Sequence, residues 1–280
     1  MADAALSTPL PTTAPIRREG AMVRNLRAVL MVWVRDLIRL KRTPTRIVTG
    51  VAQPLLFLFV LGAGLSHLIG SNAAGVDYQQ YLFPGILAMS VLTSSLFSAI
   101  AIVWDREFGF MREMLVAPVS RSTLVFGKAL GGGSVAVVQG LILVFAAPIV
   151  GVNFTVGSFF AMVGFLLLLA FALTSFGIVV ASRMQRMESF QMVMALVLQP
   201  MIFLSGAIFP LVALPKWLAV VTRLNPATYG IDAIRRVLLP GIAPLTLFGW
   251  VVPLWADALI TLAFGTAMLT LAVRLFAKTE

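Results

Sequence analysis

Six stretches of this chain are long and apolar enough to be bilayer-crossing helices, which constrains the fold more than any other feature. A hydrocarbon core of about 30 Å needs roughly 20 mostly apolar helical residues. Residues 47–66 (IVTGVAQPLLFLFVLGAGLS), 82–104, 123–150, 157–182, 191–212 and 250–273 meet that need. Unpaired backbone groups are too costly in lipid for anything but a helix or a closed barrel to cross. The expected fold class is an all-α integral membrane protein with six transmembrane helices. A soluble core does not require 60% hydrophobic residues.

The charges carry the orientation. A net charge of +10 could suggest a nucleic-acid binder, but in a membrane protein basic residues gather in cytoplasmic segments. With six spans both termini share one side. That side holds Arg17, Arg18, Arg24, Arg27, Arg35, Arg39, Lys41, Arg42, Arg46, Arg106, Arg112, Arg121, Lys128, Arg183, Arg186, Arg274 and Lys278. The other side holds only Lys216, Arg223, Arg235 and Arg236. Both termini are therefore expected in the cytoplasm of a bacterial cell, beneath the cytoplasmic (inner) membrane, with no nucleic-acid partner.

A seventh stretch, 217–239 (WLAVVTRLNPATYGIDAIRRVLL), is also long enough to span. It carries Arg223, Asp232, Arg235 and Arg236, and each central charge costs about 2.5–3.5 kcal/mol on insertion. It is expected instead as two short amphipathic helices broken at NPATYG, forming a re-entrant hairpin at the outer face. Near the N-terminus, residues 1–23 are polar and rich in Pro and Thr, and are expected to be a disordered cytoplasmic tail. They lack the apolar stretch of a signal peptide. The membrane domain is expected over 24–280. Its first segment, 24–42 (RNLRAVLMVWVRDLIRLKR), places Arg24, Arg27, Arg35, Arg39 and Arg42 within an arc of about 120°. Leu26, Val29, Leu30, Trp33, Leu37 and Leu40 fall opposite. Such a helix suits the cytoplasmic interface, its Arg face toward lipid headgroups or a partner.

Several chemistries are missing. No GxxxxGK[ST] phosphate loop occurs; GKALGGGS has its Gly-Lys pair in the wrong order, and Gly131, Gly132 and Gly133 fit close helix packing or a loosened helix. The absence of cysteine removes disulfides and thiolate metal sites. His67, the single histidine, has no clustered ligands beside it. No catalytic, cofactor-binding or metal-binding residues are expected. Asp257 is the best candidate for a buried ionisable group, either in a proton role or as a bond to a neighbouring helix. A self-contained secondary transporter or channel would need more polar groups at mid-membrane. A membrane-embedded enzyme would need a nucleophile–base or metal constellation. The chain reads as a translocation path whose energy comes from elsewhere.

Against this apolar background, WDREFGFMREMLVAPVSR concentrates Asp105, Arg106, Glu107, Arg112, Glu113 and Arg121 between Trp104 and Arg121. A helix continuing from the second span would carry Phe110, Met111 and Met114 on one face and end before Pro118. Charged and adaptable apolar side chains together suit either a solvated loop or a docking surface. The segment DREFGFMREMLVAPVSRSTLVFGKALGG resembles the cytoplasmic segment of ABC-2 type permeases, the membrane subunits of ATP-binding-cassette exporters. LNPATYGIDAIRRVLL, preceded by FLSGAIFPLVALPKWL, resembles that family's stretch after the fifth span. The resemblance covers residues 24–280, and its form is closest to the daunorubicin-resistance-like drug exporter branch.

The resemblance implies two nucleotide-binding ATPase subunits, which would carry ATP and Mg, and a second permease copy or paralogue. It implies an ATPase-coupling helix over 105–117, with Asp105, Arg106, Glu107, Phe108, Gly109, Arg112, Glu113 and Pro118 at or beside the motif positions. The acids would pair with basic residues of the partner or of this chain. The loop 183–190 (RMQRMESF) would be a second contact, and Asn225, Pro226, Tyr229, Asp232 and Arg235 would shape the outer hairpin. The implied cargo is hydrophobic or amphipathic: a drug, a secondary metabolite or a lipid. A related branch moves polysaccharide or lipid-linked glycan, and that alternative stays open. Phe57, Phe83, Phe97, Phe203 and Trp250 could line a path, or could face lipid and the helix core.

Overall fold

The computed structural model describes residues 21–69, 76–108, 120–209, 211, 215–247 and 250–278. The expected tail falls outside these residues up to position 20. Helix α1 (Ala21–Arg42) leads into a first span made of α2 (Pro44–Leu56), a π-helical turn (Phe57–Leu61) and α3 (Gly62–Ile69). Pro54 has no N–H to give the Gly50 carbonyl four residues back. The Ser90 hydroxyl of the next span donates to that carbonyl at 3.4 Å, and the backbone re-registers through the wider turn that follows. The second span is α4 (Tyr78–Ser98) and α5 (Ile100–Glu107), joined at Ala99.

Then come α6 (Arg121–Val144), α7 (Val156–Arg183) and α8 (Met187–Phe203). Two short helices, α9 (Lys216–Leu224) and α10 (Pro226–Leu238), precede the last, α11 (Leu254–Lys278). Side chains supply the starts: Ser120 Oγ accepts from the Thr123 N–H, and Thr155 Oγ1 from the Ser158 N–H, each satisfying a first-turn donor. A two-residue antiparallel ribbon, β1 (Thr246–Leu247) with β2 (Trp250–Val251), sits just before α11.

Helices α4, α6 and α7 form the centre, with Leu82, Phe83, Leu87, Leu92 and Leu96 buried against the α7 side chains Leu166, Leu169 and Leu173. The first span and α11 lie at the periphery and leave much apolar surface exposed. That is the pattern of helices solvated by lipid rather than by water. Helix α1 lies along α6. Trp33 Nε1 donates to Ser134 Oγ at 2.9 Å. A Cβ on Gly131 would run into the Asp36 carboxylate, and one on Gly132 into the Ser98 hydroxyl. The glycines of GKALGGGS thus serve close helix approach. The docked strip of α1 is Ala28, Val29, Val32, Trp33, Asp36 and Leu40, while Leu26 and Leu30 are exposed.

Three helix bounds are corrected. Among the described residues, five helices are long and apolar enough to cross a membrane, and the helix of the expected fifth span is a shorter apolar one. The expected fifth span, 191–212, stops being helical at Phe203, leaving a 17-residue α8, about 26 Å long at 1.5 Å per residue. Its cause is tertiary. Gly206 turns the chain at φ +74°, and the following carbonyls are drawn against α4 and α10. The helix expected over 123–150 ends at Val144 and gives way to turns and a 3-10 segment, Pro148–Val150. The last helix begins at Leu254 rather than at 250, because Trp250 and Val251 pair in the ribbon.

Side-chain bonds sort the helix ends into two groups. Arg121 Nη1 at the start of α6 donates to the Phe276 carbonyl near the end of α11 at 2.9 Å, and the end of α5 meets α6, α7 and α8 here too. We call this the basic end. The start of α4 and the α9–α10 pair meet at the opposite, hairpin end, where Tyr78 Oη donates to the Ile208 carbonyl at 3.3 Å.

Candidate functional site

At the basic end three consecutive residues of α5 reach three different helices. Lys128 Nζ of α6 donates to Asp105 Oδ2 at 3.3 Å. Arg106 Nη1 donates to the carbonyls of Ser182 at 2.9 Å and Met184 at 2.8 Å, where α7 ends. Glu107 Oε2 accepts the Met187 N–H at 3.0 Å, where α8 begins. A helix leaves its last carbonyls and first N–H groups without intrahelical partners, and its dipole favours a cation at the first and an anion at the second. Arg106 and Glu107 match that order, residue by residue.

Beside this cluster the surface is aromatic. Phe108 is 62% exposed and meets Trp104 edge to face at 5.9 Å. Arg39 of α1 lies 5.5 Å over the Trp104 ring, which ties the arginine-bearing helix to the end of α5. Arg24, Arg27, Arg35, Arg39 and Arg42 are all exposed, and Arg35 is 3.9 Å from the Asp36 carboxylate. Gly109, Arg112, Glu113 and Pro118, and with them most of the expected helix 105–117, lie outside the described residues.

The hairpin end is built on buried arginines. Asn225 breaks the chain between α9 and α10: its Oδ1 accepts the Ala227 N–H at 3.0 Å, and its Nδ2 donates to the Met201 carbonyl at 2.8 Å. Pro226 then takes the first helical position, where a missing N–H costs nothing. Tyr229 Oη donates to the Arg223 carbonyl at 2.7 Å, and Thr228 Oγ1 to the Thr222 carbonyl at 2.7 Å, closing the angle between the two helices. Arg235 is 4% exposed. Its guanidinium lies 4.1 Å over the Tyr81 ring and donates to the Gly206 carbonyl at 2.7 Å and the Ala207 carbonyl at 3.2 Å. A cation stacked in so dry a place gains about 2 kcal/mol from the ring.

Arg236 joins the hairpin to α11. Its Nη1 donates to the Val252 carbonyl at 2.8 Å, and its Nη2 is shared by Asp232 Oδ2 at 2.8 Å and Asp257 Oδ2. Burial raises the Asp232 carboxyl above the usual carboxylate range, and the Arg236 guanidinium offsets only part of that rise. Asp257 is fully buried, so of its two sequence-based roles the structure displays the bond to a neighbouring element.

Residues 27–239 match the family model described as ABC-2 type transporter. The chain belongs to the ABC-2 type transporter family. A protein described as transport permease ycf38 of Cyanophora paradoxa is 34% identical over 215 residues, 74% of this chain and 72% of the relative. Nodulation protein J of Rhizobium leguminosarum bv. trifolii is 32% identical over 228 residues, 75% of this chain and 80% of that protein. Nodulation protein J of Rhizobium meliloti is 31% identical over 213 residues, again 75% and 80%.

As a member of this family the multi-pass membrane protein is a transport subunit. Lys128 and Arg236 complete clusters that the motif positions alone did not single out. Arg236 had a local signal, being four residues after Asp232 on a helix; Lys128 had none. Of the aromatic residues considered for a pathway, Phe83 is buried in the core and Phe97 packs edge to face on Phe190 at 6.5 Å. Phe203 and Trp250 are exposed.

Proposed function

We propose that this chain is the permease subunit of an ATP-driven exporter in a bacterial cytoplasmic membrane, with its basic end in the cytoplasm. Two ATPase subunits, carrying ATP and Mg, dock beneath a pair of permeases, the second being another copy or a paralogue. The observation that carries this reading is the basic end itself. The arginine face of α1, the exposed Phe108 and Trp104, and the bonded end of α5 meet at one surface. No phosphate loop occurs in the 280 residues, which supports a separate source of ATP hydrolysis. The excess of Lys and Arg at this end supports its cytoplasmic placement.

The cargo is an amphipathic or hydrophobic compound. Exposed apolar and aromatic side chains such as Phe203 and Trp250 suit a partly lipid-like molecule at the protein surface. The test is co-expression with an ATPase encoded beside this gene, purification through a tag on the permease, and reconstitution into liposomes. ATPase co-purification and ATP-dependent movement of a lipophilic dye are the expected results. Transport only of a fluorescent glycolipid would reassign the cargo to a glycan. Transport without ATP or any ATPase would overturn the reading in favour of a secondary transporter or channel.

A further inference from the structure

We infer that Arg106 and Glu107 lock the end of α5 to the α7–α8 turn, so that a push delivered at α5 moves both following spans as one body. The inference builds on the ATP-driven reading above, and it assigns Glu107 a partner within its own chain. Its carboxylate is a hydrogen-bond acceptor for the Met187 N–H, not a charge held out for the ATPase.

The geometry carries this. The turn between α7 and α8 is short, with Arg183 closing one helix and Met187 opening the next. Such a turn presents a carbonyl-rich negative end and an N–H-rich positive end side by side. Arg186, at the cap position of α8, makes no side-chain cap hydrogen bond, and Met184 caps α7 in extended backbone. Both helix ends are completed from elsewhere, by adjacent residues of one turn of α5. Arg106 gathers the carbonyls of Ser182 and Met184 with a single guanidinium nitrogen, and Glu107 supplies the acceptor for α8. Buried Phe190, in the first turns of α8, packs on Phe97 of α4 and adds an apolar contact below the polar ones. A joint held at a carbonyl group, an N–H group and an aromatic pair resists both sliding and rotation. A helix displaced at such a joint carries its neighbour with it.

The chain has no cysteine, so labels can be placed singly. Spin labels on Ala101→Cys in α5, half-buried, and Gln191→Cys in α8, exposed, both outside the surface assigned to the ATPase, report the distance across the joint. The permease alone is expected to give one narrow distance distribution, which Arg106→Ala broadens. In the ATPase complex the distribution is expected to stay the same between the nucleotide-free state and the state trapped with ATP and vanadate. A shift on trapping, or no broadening with Arg106→Ala, would overturn the inference. Function gives a second reading. Glu107→Gln keeps an acceptor oxygen and is expected to retain most of the substrate-stimulated ATP hydrolysis. Glu107→Ala removes the acceptor and is expected to lose about tenfold, with ATPase co-purification unchanged in both. Loss of co-purification in Glu107→Gln would make the carboxylate a docking charge and sink the idea. The permease-alone measurement needs no ATPase, so it separates failure of this joint from failure of the ATP-driven reading.

Discussion

At the scale of single residues, the least ordinary feature is one arginine serving two buried carboxylates. Arg236 meets Asp232 from its own helix and Asp257 from α11. Removing one partner of a buried ion pair costs far more than the pair itself contributes, because the remaining charge is stranded. Arg236→Met would leave two carboxylates together without the cation that bridges them, a loss of about 3–5 kcal/mol. Asp257→Asn keeps the Arg236–Asp232 pair and retains an acceptor, and is expected to cost about 1–2 kcal/mol. Thermal unfolding of the detergent-solubilised permease should therefore rank Arg236→Met well below Asp257→Asn, and both below the parent. Equal midpoints for the two variants would show that the cluster does not hold the hairpin to α11.

At the scale of elements, the fit between α4 and the segment after α8 decides where the fifth apolar stretch stops being helical. The segment passes so close that a Cβ on Gly85 would collide with the Ala207 carbonyl, while a Cβ on Gly164 of α7 would meet nothing. Gly85→Ala is expected to lower folded yield and unfolding temperature, because neither backbone can move aside. Gly164→Ala is expected to be neutral or to stabilise by up to about 1 kcal/mol, the usual helix-propensity gain. Fluorescence size-exclusion of the two variants checks this, and a Gly85→Ala peak equal to the parent's would contradict it. The same contact explains what the sequence concealed. Phe203, Leu204, Ile208 and Phe209 read as an unbroken apolar run, and only Gly206 and Pro210 hint at a break. The break between α9 and α10 was legible because NPATYG announces it with local chemistry: an Asn cap and a Pro at the first helical position. Asp105 with Lys128, and Arg106 with the α7 carbonyls, were not legible. Their partners lie 23 and more than 70 residues away, and only the packing of the spans brings them together.

At the scale of the whole molecule, the two ends differ more than a count of basic residues suggests. The basic end gathers the start of α6, the end of α11 and the α7–α8 turn, with the exposed arginines of α1 beside them. Two of the four basic residues assigned to the hairpin end are consumed internally. Arg235 lies under Tyr81 with its Nη2 on two backbone carbonyls, and Arg236 is balanced by Asp232 and Asp257. The charge that orients a membrane protein is the Lys and Arg left in short loops and near span ends, so the bias toward one side is sharpened by these pairings. In intact bacterial cells, Thr246→Cys at the hairpin end is expected to react with a membrane-impermeant maleimide. Gln185→Cys at the basic end should react only after the membrane is permeabilised. The cysteine-free parent supplies the blank. Labelling of Gln185→Cys in intact cells, with Thr246→Cys protected, would invert the molecule. It would also remove the basic end from reach of any cytoplasmic ATPase.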